Sequence, residues 1–149
     1  LRKWITGEGA EGYYKSGIRA AMEFTAANTP VKYQHGVKID DAYIASYLEG
    51  PQVKFGASAT ENLNRIYKQK YILYFLQHEW DAFFECRRTG VPELPVNPST
   101  NMNTDPSKML VRWMYPQTEY DRNNANVMEA IARQYDGLDN ENCVMWLLK

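Results

Sequence analysis

The chain has 149 residues, 44% of them hydrophobic and 13% aromatic, which is enough for one globular domain with an apolar core. Its 17 Lys and Arg and 18 Asp and Glu residues give a formal net charge of −1, which argues against a nucleic-acid or anionic-membrane partner. No apolar run approaches the roughly 18 residues that cross a bilayer, and no signal peptide opens the sequence. Because the chain begins at Leu1 rather than at a methionine, we expect a piece of a longer protein.

Residues 10–27 carry the first helical pattern. Residues 1–9 are expected to form an extended segment with a turn at its glycines, and the Asn-Thr-Pro sequence at 28–30 ends the helix. The small residues Gly17 and Ala20 would let a neighbouring element approach closely. The apolar stripe of this packing helix consists of Tyr14, Ile18, Ala21, Met22 and Thr25.

A short second helix is predicted to begin after Asp40, a good N-cap residue, and to stop before the Gly-Pro pair at 50–51. Its apolar positions are Tyr43, Ile44, Tyr47 and Leu48. Between the two helices, residues 31–37 could be extended, although the His-Gly pair at 35–36 favours a turn. Residues 52–58 are predicted to be a linker.

The longest helical pattern runs from 61 to 92, and the pattern predicts a core helix, a kink at Gln77 and His78, and a second helix. Thr60, together with asparagines at 62 and 64, offers N-cap chemistry for the first of these helices. Its stripe consists of Leu63, Ile66, Tyr67, Tyr71, Tyr74 and Phe75. The second helix is expected to direct the rings of Trp80, Phe83 and Phe84 towards the core.

The rest of the chain is predicted to be loop-rich with one more helix. Residues 93–108, rich in Pro, Asn, Ser and Thr, predict a long surface loop, and 109–115 could be extended. Asn123 or Asn124 could cap a last helix that faces inward through Val127, Met128, Ile131 and Ala132. The apolar run at 143–148 is expected to pack against the body as a short strand or coil. The fold class is therefore mainly α.

Several motifs together resemble the C-terminal region of the SusD/RagB family. They are Gln69-Lys70-Tyr71, Trp80, the run Arg87-Arg88-Thr89-Gly90-Val91-Pro92, and then Arg112, Tyr115-Pro116, Glu119 and Asn123. The sequence departs from the family pattern at Tyr71, where the family has Trp, and at Val91, where it has Tyr. The resemblance implies helical hairpins of tetratricopeptide type with long irregular loops, and it implies that residues 1–149 form the C-terminal part of a larger SusD-like fold.

The resemblance also implies a function in nutrient uptake. Such a protein would be a lipoprotein on the surface of the outer membrane, anchored by an N-terminal lipid outside this stretch. It would capture oligosaccharides and deliver them to a SusC-like TonB-dependent transporter. An alternative is a helical-repeat scaffold that binds a protein or peptide.

The residues of the matching motifs are predicted to be architectural, because guanidinium groups near helix ends can satisfy loop carbonyls and a carboxylate. These residues are Arg87, Arg88, Gly90, Pro92, Arg112, Tyr115, Pro116 and Glu119. The functional alternative is an arginine that hydrogen-bonds sugar hydroxyls. Trp113 is the aromatic residue we expect to be exposed and able to stack on a sugar, because it lies in a loop-proximal segment.

No common catalytic or cofactor motif occurs, so we predict a binding protein without enzymatic activity or cofactor. The histidines at 35 and 78 lack ligand spacing for zinc, and Glu79 with Asp81, or Glu93 with Asp105, are not placed as an acid/base pair. The acidic residues at 136, 139 and 141 favour an ordinary turn over a calcium site. Cys86 and Cys143 could be partly buried thiols or a disulfide.

Overall fold

The computed structural model describes residues 9–78 and 80–148, and within these ranges the chain is helical and contains no β-strand. Its α-helices are α1 (Ala10–Asn28), α2 (Asp41–Leu48), α3 (Ala59–Tyr74), α4 (Asp81–Thr89) and α5 (Gln117–Tyr135). Two 3₁₀ helices cover Val31–Tyr33 and Trp146–Leu148. The prediction of a mainly α fold is confirmed, whereas the tetratricopeptide-like pairing stays a prediction. Of the predicted approach segment, residues 1–8 lie outside the described part.

The chain divides into two compact units, Leu1–Glu85 and Cys86–Lys149. The core of the first unit joins α1 to a segment that the sequence suggested was a linker. Tyr14 and Ile18 of α1 pack with Val53, which is only 4% exposed. The Tyr14 hydroxyl donates to the Val53 carbonyl at 2.9 Å, and its ring lies 4.6 Å from that of Phe55. Burial raises the pKa of Tyr14 to about 12, so the hydroxyl stays a neutral donor.

Helix α1 has the predicted extent, but its inward stripe is narrower than predicted. Ala21 and Met22 are half-buried, whereas Thr25 is exposed. A Cβ added at Gly17 would meet no atom of the described chain within 4 Å. The close approach that we expected at Gly17 is therefore not made within this chain.

Helix α2 begins as predicted, because the Asp40 carboxylate accepts a hydrogen bond from the Tyr43 backbone N–H at 3.0 Å. Its Ile44 is 2% exposed. Before it, the prediction of an extended segment is wrong and that of a turn is right. Residues Val31–Tyr33 form a 3₁₀ turn, and His35 and Gly36 follow with positive φ angles of 49° and 77°.

The N-cap of α3 lies two residues before the expected one, since Ser58 rather than Thr60 accepts from the Glu61 backbone N–H, at 3.3 Å. No residue of α3 is fully buried. Ile66 packs against the core of the first unit, but Leu63 is exposed. The prediction of a core helix is therefore wrong within this chain, because only part of the stripe meets the α1 core.

The predicted break is present at its expected position, since Gln77 and His78 lie between the end of α3 and the start of α4. Helix α3 ends at Tyr74, Leu76 takes a left-handed φ of 58°, and α4 begins at Asp81. Trp80 precedes α4, and its ring lies 6.4 Å from that of Phe83 in an edge-on arrangement. Trp80 is 54% exposed and Phe84 43%, so the expectation of three core-facing rings is wrong in this chain.

Helix α4 ends as the sequence predicts. Gly90 follows Thr89 with a φ of 70°, and its backbone N–H donates to the Cys86 carbonyl at 2.8 Å. Glycine reaches this left-handed conformation without strain, which suits it to a helix C-terminus. The Val91–Pro92 peptide bond that follows is cis.

In the second unit, residues 93–108 form the predicted irregular loop, which its own polar side chains hold together. The Asn101 amide donates to the carbonyls of Pro106 and Lys108, each at 2.8 Å, and Asn103 also donates to Lys108. Asp105 accepts from the Ser107 hydroxyl, and its pKa is lowered to about 2, chiefly by that hydrogen bond.

Residues 109–115 take no regular structure, so a strand does not form there.

Helix α5 begins directly after Pro116, six residues before the expected cap. Asn123 is not a cap but an interior kink, with φ −140° and ψ 32°, and its side chain accepts from the Asn126 amide at 2.6 Å. The inward positions are Val127, Ile131 and Tyr135, all buried. Met128 and Ala132, which we expected to face inward, are exposed.

The C-terminal run packs only in part, with Cys143, Met145 and Leu148 half-buried. It forms coil and then the 3₁₀ turn Trp146–Leu148, with Trp146 73% exposed and Val144 46% exposed. An apolar composition alone did not determine burial here, because no described element of the chain covers these side chains.

Candidate functional site

Arg112 lies at the centre of a buried polar cluster in the second unit. It is 4% exposed, and its guanidinium donates to an Asp139 carboxylate oxygen at 2.5 Å and to the Asn140 carbonyl at 3.1 Å. The Tyr135 ring centroid lies 4.2 Å from the guanidinium carbon, a cation–π distance. The buried guanidinium is thus contacted by a carboxylate, a backbone carbonyl and an aromatic ring.

Asp139 is satisfied from more than one side. Its second oxygen accepts from the Tyr120 hydroxyl at 2.5 Å and from the Tyr115 backbone N–H at 3.0 Å. Although burial raises the pKa of Asp139, the hydrogen bonds from Tyr120, Arg112 and the Tyr115 backbone outweigh it and hold the pKa below its ordinary value. The same hydrogen bond to Asp139 raises the pKa of Tyr120.

The partner of Arg112 was not found from the sequence. Among the motif residues the only carboxylate is Glu119, but Glu119 is exposed, and its side chain accepts a long hydrogen bond of 3.4 Å from the Asn123 amide rather than one from Arg112. Asp139 was assigned to an acidic turn, since nothing in its local pattern connects it to residue 112. The sequence does contain one signal for this ion pair. Arg112 is the only charged residue of the apolar segment 109–115, and an arginine buried in such a segment needs a carboxylate partner.

The remaining motif residues lie at chain turns of the second unit. Arg87 donates to the Val111 carbonyl at 2.9 Å, as expected of a guanidinium that satisfies a loop carbonyl. Arg88 lies in the last turn of α4, and Pro92 follows the glycine that ends the helix. Pro116 precedes the first residue of α5. An architectural role for these residues stays a prediction.

Trp113 is exposed, at 48%, as we expected for a stacking residue. It is not alone, because aromatic side chains in both units are comparably exposed. The others include Tyr13, Phe24, Tyr33, Tyr43, Phe75, Trp80, Phe84 and Trp146. Exposure therefore does not distinguish Trp113, and its role in ligand binding stays a prediction.

The larger cavities described here open on the first unit. A groove of about 400 Å³ lies between α1 and α3 and is lined mainly by apolar side chains, among them Ile18, Ile66 and Leu73; we call it the apolar groove. A smaller cavity of about 280 Å³ lies at the C-terminal end of α1; we call it the α1-end hollow. Its lining mixes aromatic, aliphatic and polar groups: Thr25, Ala26, Thr29, Tyr33, Gln34, Val37, Lys38 and Ile39.

The His, Asp and Glu side chains considered as metal ligands or as an acid/base pair do not form one cluster among the described residues. His78 lies 3.4 Å from Asp81, and His35 occupies a turn far from it in sequence. Within residues 9–78 and 80–148 no group of three His, Cys, Asp or Glu side chains could hold a metal ion. The turn acids have other partners: Asp139 binds Arg112, and Glu141 accepts from Thr104. Glu79 lies outside the described residues.

The cysteines are half-buried. The Cys143 sulfur lies 3.3 Å from the Leu138 carbonyl and 3.2 Å from the Asn140 side-chain oxygen, distances at which a thiol can donate weakly. No described helix combines the length and the apolarity needed to cross a membrane.

The described part of the chain is thus a helical protein with exposed aromatic rings and open cavities. The chain belongs to the SusD-like family, since its residues 1–116 match a family model described as starch-binding associating with outer membrane. A search among curated proteins gave no match.

Solved structures agree with this assignment. A SusD homologue from Bacteroides fragilis NCTC 9343 aligns with 44% identity and a TM-score of 0.86, over 99% of this chain and 32% of the homologue. A candidate outer membrane protein for nutrient binding from Bacteroides vulgatus ATCC 8482 aligns with 32% identity and a TM-score of 0.76, over 99% and 31%. A chitin-binding protein aligns with 26% identity and a TM-score of 0.72, over 99% and 30%. The chain thus spans less than a third of each structure.

Proposed function

We propose that this chain is the C-terminal part of a cell-surface protein that binds oligosaccharides for nutrient uptake. Membership of the SusD-like family carries the proposal, because the family model is described as starch-binding and one structural relative is a chitin-binding protein. The exposed aromatic side chains support it, since a flat ring can stack on the apolar face of a pyranose. In this proposal the protein is a binder, not an enzyme.

The proposed location is the surface of the outer membrane, through an N-terminal lipid outside this stretch. The family description and the candidate outer membrane relative support this location. The proposed partner is a SusC-like TonB-dependent transporter that receives the oligosaccharide. Co-purification of a transporter from outer membranes with the tagged protein is the expected result, and its absence under conditions that preserve such complexes would refute the partner.

Binding can be tested by titration calorimetry with maltoheptaose and chitohexaose, the oligosaccharides that correspond to starch and chitin. We expect measurable affinity for at least one of them. Trp113→Ala should weaken it without lowering the melting temperature, because the side chain is 48% exposed. Trp146→Ala, at a tryptophan 73% exposed, is the matched control and should bind as the wild type does.

The outcomes test the glycan-binding function and the role of Trp113 separately. Binding that survives in Trp113→Ala would leave glycan binding in place and remove Trp113 from the site. No binding of either oligosaccharide by the wild type would refute the proposed function.

A second candidate function is a helical scaffold that binds a protein or peptide. The apolar groove favours it, because a trough of about 400 Å³ lined by side chains such as Ile18, Ile66 and Leu73 suits apolar side chains of a partner helix better than sugar hydroxyls. Glycan binding without any peptide binding would eliminate this candidate.

A further inference from the structure

The α1-end hollow is a cavity of a size that suits one sugar ring. Its volume of about 280 Å³ lies at the lower end of the roughly 300–1,000 Å³ typical of small-molecule sites. It lies between the end of α1, where Thr25 is in the last turn and Thr29 is the C-cap, and the turn that follows. A single pyranose fits a space of this size, whereas an oligosaccharide would have to extend out of it.

One wall of the hollow is an aromatic ring that the described part of the chain leaves largely exposed. Tyr33 lines the cavity and is 58% exposed. The Lys32 ammonium lies 4.6 Å from the ring centroid, a cation–π contact that restrains the ring at the surface. A restrained ring loses little side-chain entropy when a ligand stacks on it.

The wall that carries Tyr33 is held by a set of turn hydrogen bonds. The Tyr33 backbone N–H donates to the Pro30 carbonyl at 2.8 Å, and the Val37 N–H donates to the Gln34 carbonyl at 2.9 Å. Between them the backbone passes through a left-handed His35, with a φ of 49°. Left-handed non-glycine residues are uncommon and are found often in loops that shape binding sites. The cavity is thus preorganised.

Polar groups at the hollow remain able to bind hydroxyls. The Gln34 amide donates one N–H to the Thr29 carbonyl at 2.9 Å, which fixes its orientation. Its oxygen accepts no hydrogen bond from any described residue, so it can accept one from a ligand. The Lys38 ammonium lies 3.5 Å from Asp40, which offsets its charge and favours a neutral ligand over an anion.

We propose that the α1-end hollow is a subsite for one neutral pyranose ring of a glycan, with Tyr33 as the stacking platform and Gln34 as a hydroxyl acceptor. The inference deepens the proposed glycan-binding function and rests on it. It places a contact in the first unit, where the sequence singled out no ligand residue, in addition to the one predicted at Trp113.

Titration calorimetry of the full chain with maltoheptaose and chitohexaose tests this subsite. Tyr33→Ala should weaken binding about tenfold, the loss expected when a contact aromatic is truncated. Tyr33→Phe keeps the ring and should bind as the wild type does, whereas Tyr33→Leu keeps apolar bulk without a flat face and should resemble the alanine variant. Tyr43→Ala is the matched control, since Tyr43 is 43% exposed and lines neither cavity.

Melting temperatures of all four variants should equal that of the wild type, because both tyrosines are exposed. Equal affinities of wild type and Tyr33→Ala, with glycan binding intact, would overturn the subsite and leave the proposed function standing. A similar loss in Tyr43→Ala would also overturn it, because the effect would then not be local. Absence of glycan binding by the wild type would overturn both.

Discussion

Removing the negative charge of Asp139 should strongly destabilise the second unit. In Asp139→Asn the Arg112 guanidinium stays buried without a carboxylate, since the two side chains are only 5% and 7% exposed. Breaking a buried pair by removing one partner typically costs about 3–5 kcal/mol of unfolding free energy. The Asn140 carbonyl and the Tyr135 ring still contact the cation, so we expect a loss near the lower end, about 3 kcal/mol.

The pH dependence of that loss has a definite sign. The folded-state pKa of Asp139 lies below the ordinary value of 3.8, so its contribution to stability is fully present above that value. The contribution is lost as the pH falls through the folded-state pKa, because the protonated carboxyl no longer pairs with Arg112. The difference in unfolding free energy between wild type and Asp139→Asn should therefore be constant near neutral pH and shrink below about pH 4.

Urea unfolding followed by circular dichroism, at pH 7 and at a series of lower pH values, measures both effects. Glu129→Gln is the control, because Glu129 and Arg133 form an exposed pair at 3.5 Å and their separation should cost about 0.5 kcal/mol or less. The double variant Arg112→Met with Asp139→Leu should recover part of the lost stability, since it removes both buried charges but leaves the Tyr120 hydroxyl and the Tyr115 N–H without their acceptor. A loss below about 1 kcal/mol in Asp139→Asn at pH 7, or a loss independent of pH, would refute the reasoning.

Two further predictions test where the structure departs from the sequence pattern. Ser58→Ala should cost about 1 kcal/mol of unfolding free energy because Ser58 caps α3, whereas Thr60→Ala should cost about 0.5 kcal/mol or less; the reverse order in urea titrations would mean that α3 begins later. Ile131→Ala should cost about 2–5 kcal/mol because the side chain is 2% exposed, whereas Met128→Ala, at 48% exposure, should cost far less; equal losses in thermal unfolding would contradict the observed face of α5.

The sequence by itself determined the features that depend on neighbouring residues. The start of α2 at Asp40 and the end of α4 at Gly90 follow from one side chain that caps a backbone N–H and one glycine that takes a positive φ. The extent of α1 follows from a periodic stripe that ends at a proline. The break after α3 contains the predicted residues Gln77 and His78, although α3 already ends at Tyr74, because helix ends are set by backbone geometry that the sequence pattern marks only loosely.

Tertiary structure alone decided which apolar and charged residues are buried. Val53 belongs to the core because the Tyr14 hydroxyl and ring cover it from a position 39 residues away. The carboxylate of Arg112 is Asp139 rather than Glu119 because the chain after α5 returns to residue 112. Contacts between residues so far apart in sequence produce no periodic pattern in the local sequence.

Exposure was decided in the same way. Trp80 and Trp146 are large apolar residues of the kind found in cores, yet both are exposed. Burial requires a second element that packs against the side chain, and the described part of this chain has none at those two positions. The α1-end hollow likewise exists only where the turn at His35 places Tyr33 beside the end of α1. The sequence specifies each local element, and the pairing of distant segments in space determines which of their side chains form a core, an ion pair or a cavity.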